Sequence, residues 1–430
     1  MKKFKNYLIN KIIKTWWFPW LLLGIVLRLL LMPFTLHADL LGHSFSAYFL
    51  AYQGEWNLYE TLVHLPQSHP LVQNFGVSDI FIYPPLAYYT LGFFRILVKP
   101  WLDPNFIPWL MQNLSQINTY PHLFSQLLLF KLPYLFIDVA LAFVLASLFQ
   151  DQRKKKQAFL LWLFNPLTLY ATFMIGQLDL LPVFFTVLAI WFVARGKKEW
   201  ALVALGIGGG YKMFPLLLIP VAAFVLSKTF RQRIKLLFLG FLPFVLSIAP
   251  FLPSQAFRAM VLFSPKSQKM LFMGWPVSGA EVIYPFIIGL MVIYLFAYFF
   301  QKKIPLVNYF LAIFLLIFSV THYHPQWFLW ITPFLIWELV VNKFKNLLLA
   351  VILFVGWLVI TFLFEPSLSL GLFNPLWPQL NQAPDLSTLL SRYFDVFQFK
   401  SLVRSVFAGT VAFLVWRLFL PKMENEENRN

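Results

Sequence analysis

The sequence contains no cysteine and few charged residues, and acidic residues are scarcer than basic ones. Without cysteine the chain has no disulfide, no catalytic thiolate and no cysteine-ligated metal. Charged residues make up 12% of the 430 residues, against about 25% in soluble domains, and hydrophobic residues make up 60%. These proportions exclude an ordinary soluble domain and indicate a protein embedded in a membrane.

The apolar residues are gathered in long runs, which predict an all-α fold. An open sheet cannot satisfy its backbone groups in lipid, so helices are expected. Runs near the roughly 20 residues that a span needs recur about 12 times, so we expect one integral membrane domain over residues 1–430, a polytopic bundle of about 12 transmembrane helices. The predicted helices cover 16–36, 123–149, 158–175, 180–193, 200–210, 214–226, 236–251, 282–300, 305–320, 327–341, 347–364 and 397–420.

The net charge of +17 comes from basic clusters that alternate with the apolar runs. This alternation is typical of cytoplasmic loops and argues against a nucleic-acid partner. It predicts a multi-pass protein of the cell membrane with both termini in the cytoplasm, including a short tail at 421–430. The clusters lie at 2–14, 153–156, 195–198, 228–235, 302–303, 343–345 and 417–429.

Residues 37–122 form an unusually long outer segment that is rich in aromatic residues. Loops longer than about 12 to 15 residues are usually functional or disordered, and this composition argues against disorder. We expect interfacial helices in it, one of them amphipathic near 44–59. The apolar stretch 83–98 is predicted to lie in the interface, because a crossing there would place the cluster 153–156 outside.

Two acidic residues, Asp39 and Asp179, each follow an apolar run and are predicted to emerge on the outer side. A carboxylate costs about 2.5 to 3.5 kcal/mol at the centre of a membrane helix, so acids gathered at one rim favour a functional role. Asp39 could act as a general base, or with Asp179 as a ligand for a divalent cation. Gln177 lies in the same tight turn as Asp179. The alternative is that the carboxylates cap helices.

Several cations are also predicted on the outer side, against the positive-inside bias. Lys212 follows a glycine run, but the spacing of a nucleotide-binding loop is absent, so it is interpreted as a contact for an anionic headgroup. Arg258, Lys266 and Lys269 are further candidates for binding phosphate. The alternative interpretations are a solvated loop for these three and a snorkelling side chain for Lys212.

His322 and His324 lie at the outer end of a predicted helix. Their spacing would suit a zinc site, but no third ligand lies nearby in the sequence. Hydrogen bonding to a phosphate or a sugar is the preferred role, with filling of the interface as the alternative.

Arg28 and Asp138 fall inside predicted membrane helices. Opposite charges in such positions usually pair with each other. We expect an ion pair inside the bundle with a structural role.

The order of these features resembles the GT-C superfamily of glycosyltransferases that use polyprenyl-phosphate sugars, including the N-glycan glucosyltransferases and the GPI-type mannosyltransferases. The resemblance covers most of the chain. It rests on Asp39, Tyr83-Pro84-Pro85-Leu86, the Asp138 helix before a basic cluster, residues 176–179, Tyr211-Lys212, and 322–330 with Pro333.

The resemblance implies a GT-C-like fold and inverting transfer of a mannose- or glucose-type hexose from a polyprenyl-phosphate donor to a lipid-linked or glycan acceptor at the outer face. Asp39 would be the base, and Gln177 and Asp179 would position the donor phosphate or a metal. The chain has His322-Tyr323-His324 where the glucosyltransferases have His-Glu-Lys, and no acidic pair at Asp39, so a divalent cation stays an open question. The alternative is a transporter or flippase for lipid-linked oligosaccharides, although transporters commonly show internal repeats.

Overall fold

The computed structural model describes residues 15–75, 80–300, 304–381 and 383–420. The basic segment 2–14 and the tail 421–430, both predicted to be cytoplasmic, lie outside the described residues. The all-α prediction is confirmed: the described residues are mainly helical, and they include one short antiparallel strand pair.

The first third of the chain contains one apolar helix followed by the long segment with short helices. The predicted amphipathic helix at 44–59 is wrong in its bounds, because a π-helical turn at Phe49–Gln53 ends at Gly54, whose φ of 71° is left-handed. The α-helices are α1 (Phe18–Leu31), α2 (Ala38–Tyr48), α3 (Leu58–Val63), α4 (Pro70–Phe75), α5 (Pro85–Val98) and α6 (Phe106–Gln112), with 3₁₀ turns at Lys99–Trp101 and Leu114–Thr119.

The middle of the chain follows the predicted apolar runs closely. The run at 158–175 is divided, because Asn165 and Pro166 start a new helical segment that continues as a π-helix. The elements are α7 (Leu123–Ala146), α8 (Gln152–Leu163), α9 (Pro166–Thr168), the π-helix Leu169–Ile175, α10 (Leu180–Ala194), α11 (Lys198–Gly209), a 3₁₀ turn at Phe214–Leu217, α12 (Leu218–Leu226), α13 (Phe230–Ile248) and a 3₁₀ turn at Ala249–Phe251.

The last third departs from the predicted bounds at two places. The helix predicted from residue 282 begins at Pro285, because the residues before it pair as a strand, and the run at 327–341 starts as a 3₁₀ helix. The elements are α14 (Gln255–Phe257), the π-helix Arg258–Leu262, the 3₁₀ helix Pro265–Leu271, β1 (Trp275–Pro276), β2 (Val282–Ile283), α15 (Pro285–Phe299), α16 (Leu306–Val320), the 3₁₀ helix Pro325–Trp330, α17 (Thr332–Val341), α18 (Leu347–Phe362), 3₁₀ turns at Pro366–Leu368, Leu370–Phe373 and Pro378–Asn381, α19 (Leu386–Leu390) and α20 (Val396–Phe419).

Four helical segments of the described chain are long and apolar enough to cross a membrane. They are Leu123–Ala146, Gln152–Ile175, Phe230–Phe251 and Val396–Phe419. Shorter apolar helices of 10–17 residues include α1, α10 and α15 to α18. A helical membrane protein is therefore consistent with the structure, while the number of twelve spans and the sidedness of the loops stay predictions.

The ion pair predicted between Arg28 and Asp138 is confirmed. Arg28 Nε donates to Asp138 Oδ2 at 2.7 Å, and both side chains are fully buried. Trp162 Nε1 donates to the other carboxylate oxygen at 2.9 Å. The pair joins α1 to α7 and α8, and the additional hydrogen bonds offset part of the cost of removing two charges from water.

Lys131 connects the two chain segments that lead into the polar cluster described below. Its ammonium group is fully buried. It donates to the backbone oxygens of Met32, Thr35 and Met174 at 2.6–3.0 Å, and to the Thr35 hydroxyl at 3.0 Å. The Lys131 side chain thus binds carbonyls just after α1 and in the π-helix Leu169–Ile175. It therefore fixes the segment that leads to Asp39 relative to the segment that leads to Gln177.

Candidate functional site

Asp39 lies in the first turn of α2. His37 caps this helix, and its ring nitrogen Nδ1 accepts a hydrogen bond from the Asp39 amide at 3.1 Å. A carboxylate in the first turn interacts favourably with the helix dipole. The side chain is 33% exposed, so it is held by the helix start and is still open to a ligand.

Two amide side chains from distant loops converge on a single oxygen of Asp39. Gln177 Nε2 donates to Asp39 Oδ2, and Gln326 Nε2 donates to the same oxygen at 3.2 Å. Both glutamines are buried. The other oxygen, Oδ1, receives no hydrogen bond from the described residues. The carboxylate is therefore fixed through one oxygen, while the second has no hydrogen bond from the described residues.

Asp179 holds Lys212 beside this carboxylate. Its fully buried side chain accepts from Lys212 Nζ at 2.8 and 3.0 Å and from Trp330 Nε1 at 2.5 Å. The Lys212 ammonium also lies 5.1 Å from the ring centroids of Trp327 and Trp330 and 5.4 Å from that of Tyr83. Cations interact favourably with aromatic faces at such distances.

Gly176 makes the turn that precedes Gln177 and Asp179. Its φ of 81° is left-handed, and an added Cβ would approach the Leu40 side chain on α2 to 2.8 Å. The glycine therefore ends the π-helix and allows the 176–179 turn to lie against the helix that carries Asp39.

A second ammonium group, that of Lys269, also lies close to Trp327. Lys269 Nζ is 5.3 Å from the Trp327 ring centroid and contacts His324 Nε2 at 2.6 Å. Burial, followed by the neighbouring Lys266 and Lys212, lowers the pKa of Lys269 below its ordinary value. No carboxylate of the described residues forms an ion pair with Lys269, so an anion between the two lysines would reduce their repulsion.

Two of the histidines near Asp39, His324 and His43, are uncharged at neutral pH. Burial, and then the Lys269 charge, lowers the pKa of His324 to about 4. Burial likewise lowers the pKa of His43 to about 4. For Asp39, burial opposes ionisation, but the attraction of nearby basic groups, His37 first and Lys212 among them, outweighs it and lowers the pKa below its ordinary value. Asp39 is thus ionised at neutral pH, and Lys269 donates its hydrogen bond to a neutral His324.

The predicted site residues are brought together in part. The central cluster, which we define by its side-chain contacts and charges, contains Asp39, Gln177, Asp179, Lys212, His324, Lys269, Gln326, Trp327 and Trp330.

Three predicted residues lie at its edge or away from it. Lys266 is exposed and close enough to lower the pKa of Lys269. The His322 ring lies 6.2 Å from that of His324 and stacks on Phe364. The Arg258 guanidinium binds the carbonyls of Leu252 and Pro253 in its own loop at 2.5 and 2.8 Å, and none of its described contacts is with the cluster.

Gln326 and His43 were not identified from the sequence. The sequence feature that could have identified Gln326 is its position in the segment 321–327, just after His322 and His324. His43 lies one helical turn after Asp39 on α2, inside a run of buried residues. Nothing in the sequence distinguishes it from a residue of the core.

The cluster does not fit a divalent cation. Among the described residues, no group of three His, Asp or Glu side chains is placed to hold a metal ion. Both oxygens of Asp179 are engaged by Lys212, and one of them also by Trp330. A hard cation would have to displace the ammonium group that already neutralises this carboxylate.

Comparison with known proteins gives no match: no protein-family description, curated protein or solved structure corresponds to this chain.

Proposed function

We propose that this protein is a membrane glycosyltransferase that moves a hexose from a polyprenyl-phosphate carrier to a lipid-linked or glycan acceptor at the outer face. The observation that carries the proposal is the arrangement around Trp327: one ionised, partly exposed carboxylate with an unbonded oxygen lies in the same cluster as two lysines that are both close to one indole ring.

Asp39 would act as the general base through Oδ1. The acceptor hydroxyl gives its proton to this oxygen while the hydroxyl oxygen forms a bond to C1 of the sugar. The bond between C1 and the phosphate oxygen breaks, and its electron pair leaves with the polyprenyl phosphate. One displacement of this kind inverts the configuration at C1, and general-base catalysis supplies typically about 10² to 10⁴ in rate.

The low pKa of Asp39 is compatible with this role. Its carboxyl group has already lost its proton at neutral pH, so it can accept one from the acceptor. The acceptor hydroxyl becomes strongly acidic only as its bond to C1 forms, so the proton transfer belongs late in the displacement. Gln177 and Gln326 would keep the carboxylate oriented during this step.

Lys269 and Lys212 would stabilise the departing phosphate. Charge that develops on a leaving group is stabilised best by cations already fixed in place. Lys212 is fixed by Asp179, which also neutralises it in part, and Lys269 has a neutral histidine as its partner. Lys269 is therefore the stronger candidate for direct contact with the phosphate, with Lys266 and His322 at the rim.

The half-buried Trp327 ring, which lies close to both lysines, suits a sugar. Its ring stacks on Trp330 at 5.0 Å between centroids and 13° between planes, so its orientation is fixed. Aromatic faces pack against the apolar face of a hexose, and both lysines lie close enough to reach a phosphate attached to C1.

The proposal is tested by incubating the purified protein with a panel of polyprenyl-phosphate hexoses and lipid acceptors, followed by mass analysis of the products. We expect one donor to yield a product heavier than the acceptor by one hexose. Lys269→Met should raise the donor KM about 10- to 100-fold, because a charge-assisted hydrogen bond is lost. The matched control is Lys235→Met, which removes an exposed cation paired with Glu199.

The panel also addresses the transporter alternative. A protein that forms no product with any donor, but moves a lipid-linked sugar across the bilayer of sealed vesicles, would contradict the transferase. In that case Asp39 would be expected to matter for movement of the lipid and not for any transfer.

A further inference from the structure

A cleft next to the cluster contains a buried arginine with no acidic partner. The cleft lies between α2, α5 and α7 and is lined mainly by apolar side chains. It is open to the surface, and the space between its walls, counting the part open to solvent, is about 350 Å³. Arg95 is 5% exposed. An isolated charge in such surroundings is costly unless a counter-charge or several hydrogen bonds compensate it.

The compensation of Arg95 within the protein is incomplete. One of its terminal nitrogens donates to the Ser44 carbonyl at 3.1 Å, and the guanidinium lies 4.0 Å from the centroid of the Phe130 ring. The titratable groups that face it are the phenols of Tyr48 and Tyr52, and neither is a carboxylate. Since a guanidinium has five donor hydrogens, most of its capacity is left for a ligand.

Two further polar groups of the cleft have hydrogen-bonding capacity left over. The hydroxyl of Tyr134 and the ring nitrogens of His43 are buried without a hydrogen bond that meets ordinary geometry. Buried polar groups of this kind are uncommon in proteins and call for an explanation such as a bound molecule. All three side chains line the same cleft.

We propose that this cleft binds a lipid with an anionic phosphate headgroup, with the phosphate at Arg95 and the hydrocarbon chain along the apolar wall formed by α5 and α7. Charge complementarity requires the anion, because no carboxylate of the described residues pairs with Arg95. The apolar lining requires hydrocarbon, and α5 presents exposed Phe93, Ile96 and Leu97, a surface typical of contact with lipid. The site does not depend on the proposed transfer reaction.

The site is distinct from the lysine pair around Trp327. Its walls come from α2, α5 and α7, whereas Lys212 and Lys269 follow α11 and α14 in the chain. The cleft is still adjacent to the reaction centre, because Leu40 and His43 line it and Asp39 precedes them on the same helix.

The test is photo-crosslinking of the full-length protein in lipid nanodiscs with a polyprenyl phosphate that carries a diazirine close to the phosphate. We expect crosslinks to peptides of α5 and α7. The lipid concentration for half-maximal labelling should rise about 10- to 100-fold in Arg95→Met, the range for loss of a charge-assisted hydrogen bond. Arg95→Lys should fall in between.

Lys99→Met is the matched control. Lys99 lies four residues after Arg95 and, like Arg95, donates to a backbone carbonyl, that of Ala51 at 3.2 Å. Unlike Arg95, it does not line the cleft. It should label like the unmodified protein. A photoreactive polyprenol of equal chain length without phosphate should label weakly, and inorganic phosphate should not compete.

Equal labelling of the Arg95→Met and Lys99→Met proteins would overturn the proposal. So would labelling by the neutral polyprenol at the same concentration, or competition by inorganic phosphate as strong as that by the lipid. If Arg95→Met does not fold, Leu129→Trp, which fills the cleft from its half-buried edge, should abolish the labelling of α5 and α7. Unchanged labelling of that variant would also overturn it. Crosslinks near Trp327 report separately on the proposed donor site.

Discussion

Replacing Asp179 by Asn should destabilise the protein through Lys212. The carboxylate is fully buried and accepts two hydrogen bonds from the ammonium group, which is itself only 14% exposed. Removing one partner of a buried pair costs about 3 to 5 kcal/mol, because the other charge is left uncompensated. We expect the lower end of this range, since Lys212 keeps the faces of three aromatic rings and some contact with solvent.

The double variant Asp179→Asn with Lys212→Met shows how much of the stability loss comes from the interaction between these two side chains. It removes both charges, so it should lose mainly the bond from Trp330 to a charged acceptor, about 1.5 to 3 kcal/mol. Lys212→Met alone leaves a carboxylate buried without its counter-charge and should also cost about 3 to 5 kcal/mol. The two single changes should therefore sum to at least about 3 kcal/mol more than the double change. The measurement is unfolding in mixed micelles followed by tryptophan fluorescence.

The exposed pair of Lys235 and Glu199 provides the control cycle. Its side chains are 60% and 51% exposed and 3.2 Å apart, so its coupling should be below about 1 kcal/mol. If the Asp179 and Lys212 changes were simply additive, the claim that Asp179 acts by holding the lysine would be refuted.

Three further predictions concern the buried charges and the response to pH. Asp138→Asn should cost about 3 to 5 kcal/mol of stability in the same unfolding assay, because Arg28 is left buried without a counter-charge; a loss below about 1 kcal/mol would show that the pair is not essential. Lys131→Met should destabilise by at least about 2 kcal/mol, because three buried carbonyls lose their donor, and it should lower transfer more than a Met substitution at exposed Lys235 does. Donor affinity should fall as pH rises through the lowered pKa of Lys269, because the positive charge is lost there. Lys269→Arg should move this fall to higher pH. If the pH dependence of donor affinity is the same in the variant, Lys269 does not bind the phosphate.

The helices could be predicted from the sequence because their signal is local. Long apolar runs mark α7, α10 and α16 closely, since only a helix satisfies the backbone in lipid. The errors arise where a local backbone feature overrides the run. Gly54 ends the helix expected at 44–59, and the strand pair of β1 and β2 delays the start of α15 to Pro285.

The site could be predicted only as a set of loops. Asp39, Gln177, Asp179 and Lys212 stand out because polar residues are scarce between apolar runs, and the structure does place them together. The partner of each side chain depends on how distant loops meet. The spacing of residues along the chain does not reveal that Lys212 neutralises Asp179.

The same limitation explains Arg258 and Gln326. Arg258 looked like the other outer cations, but its guanidinium binds the carbonyls of its own loop. Gln326 was not identified from the sequence, but its amide reaches Asp39 across 287 positions of sequence. Both outcomes depend on how distant parts of the chain pack together, which the residue composition does not reveal.

The central claim is that Asp39 removes a proton from the acceptor, and single-turnover transfer with saturating donor tests it most directly. Asp39→Asn keeps the size of the side chain but cannot take the proton, so turnover should fall by about 10² to 10⁴ while donor binding and folding persist. Asp103→Asn, in the same long segment but bonded to Tyr120, is the control and should keep its rate. An Asp39→Asn protein with near-normal turnover would contradict the account.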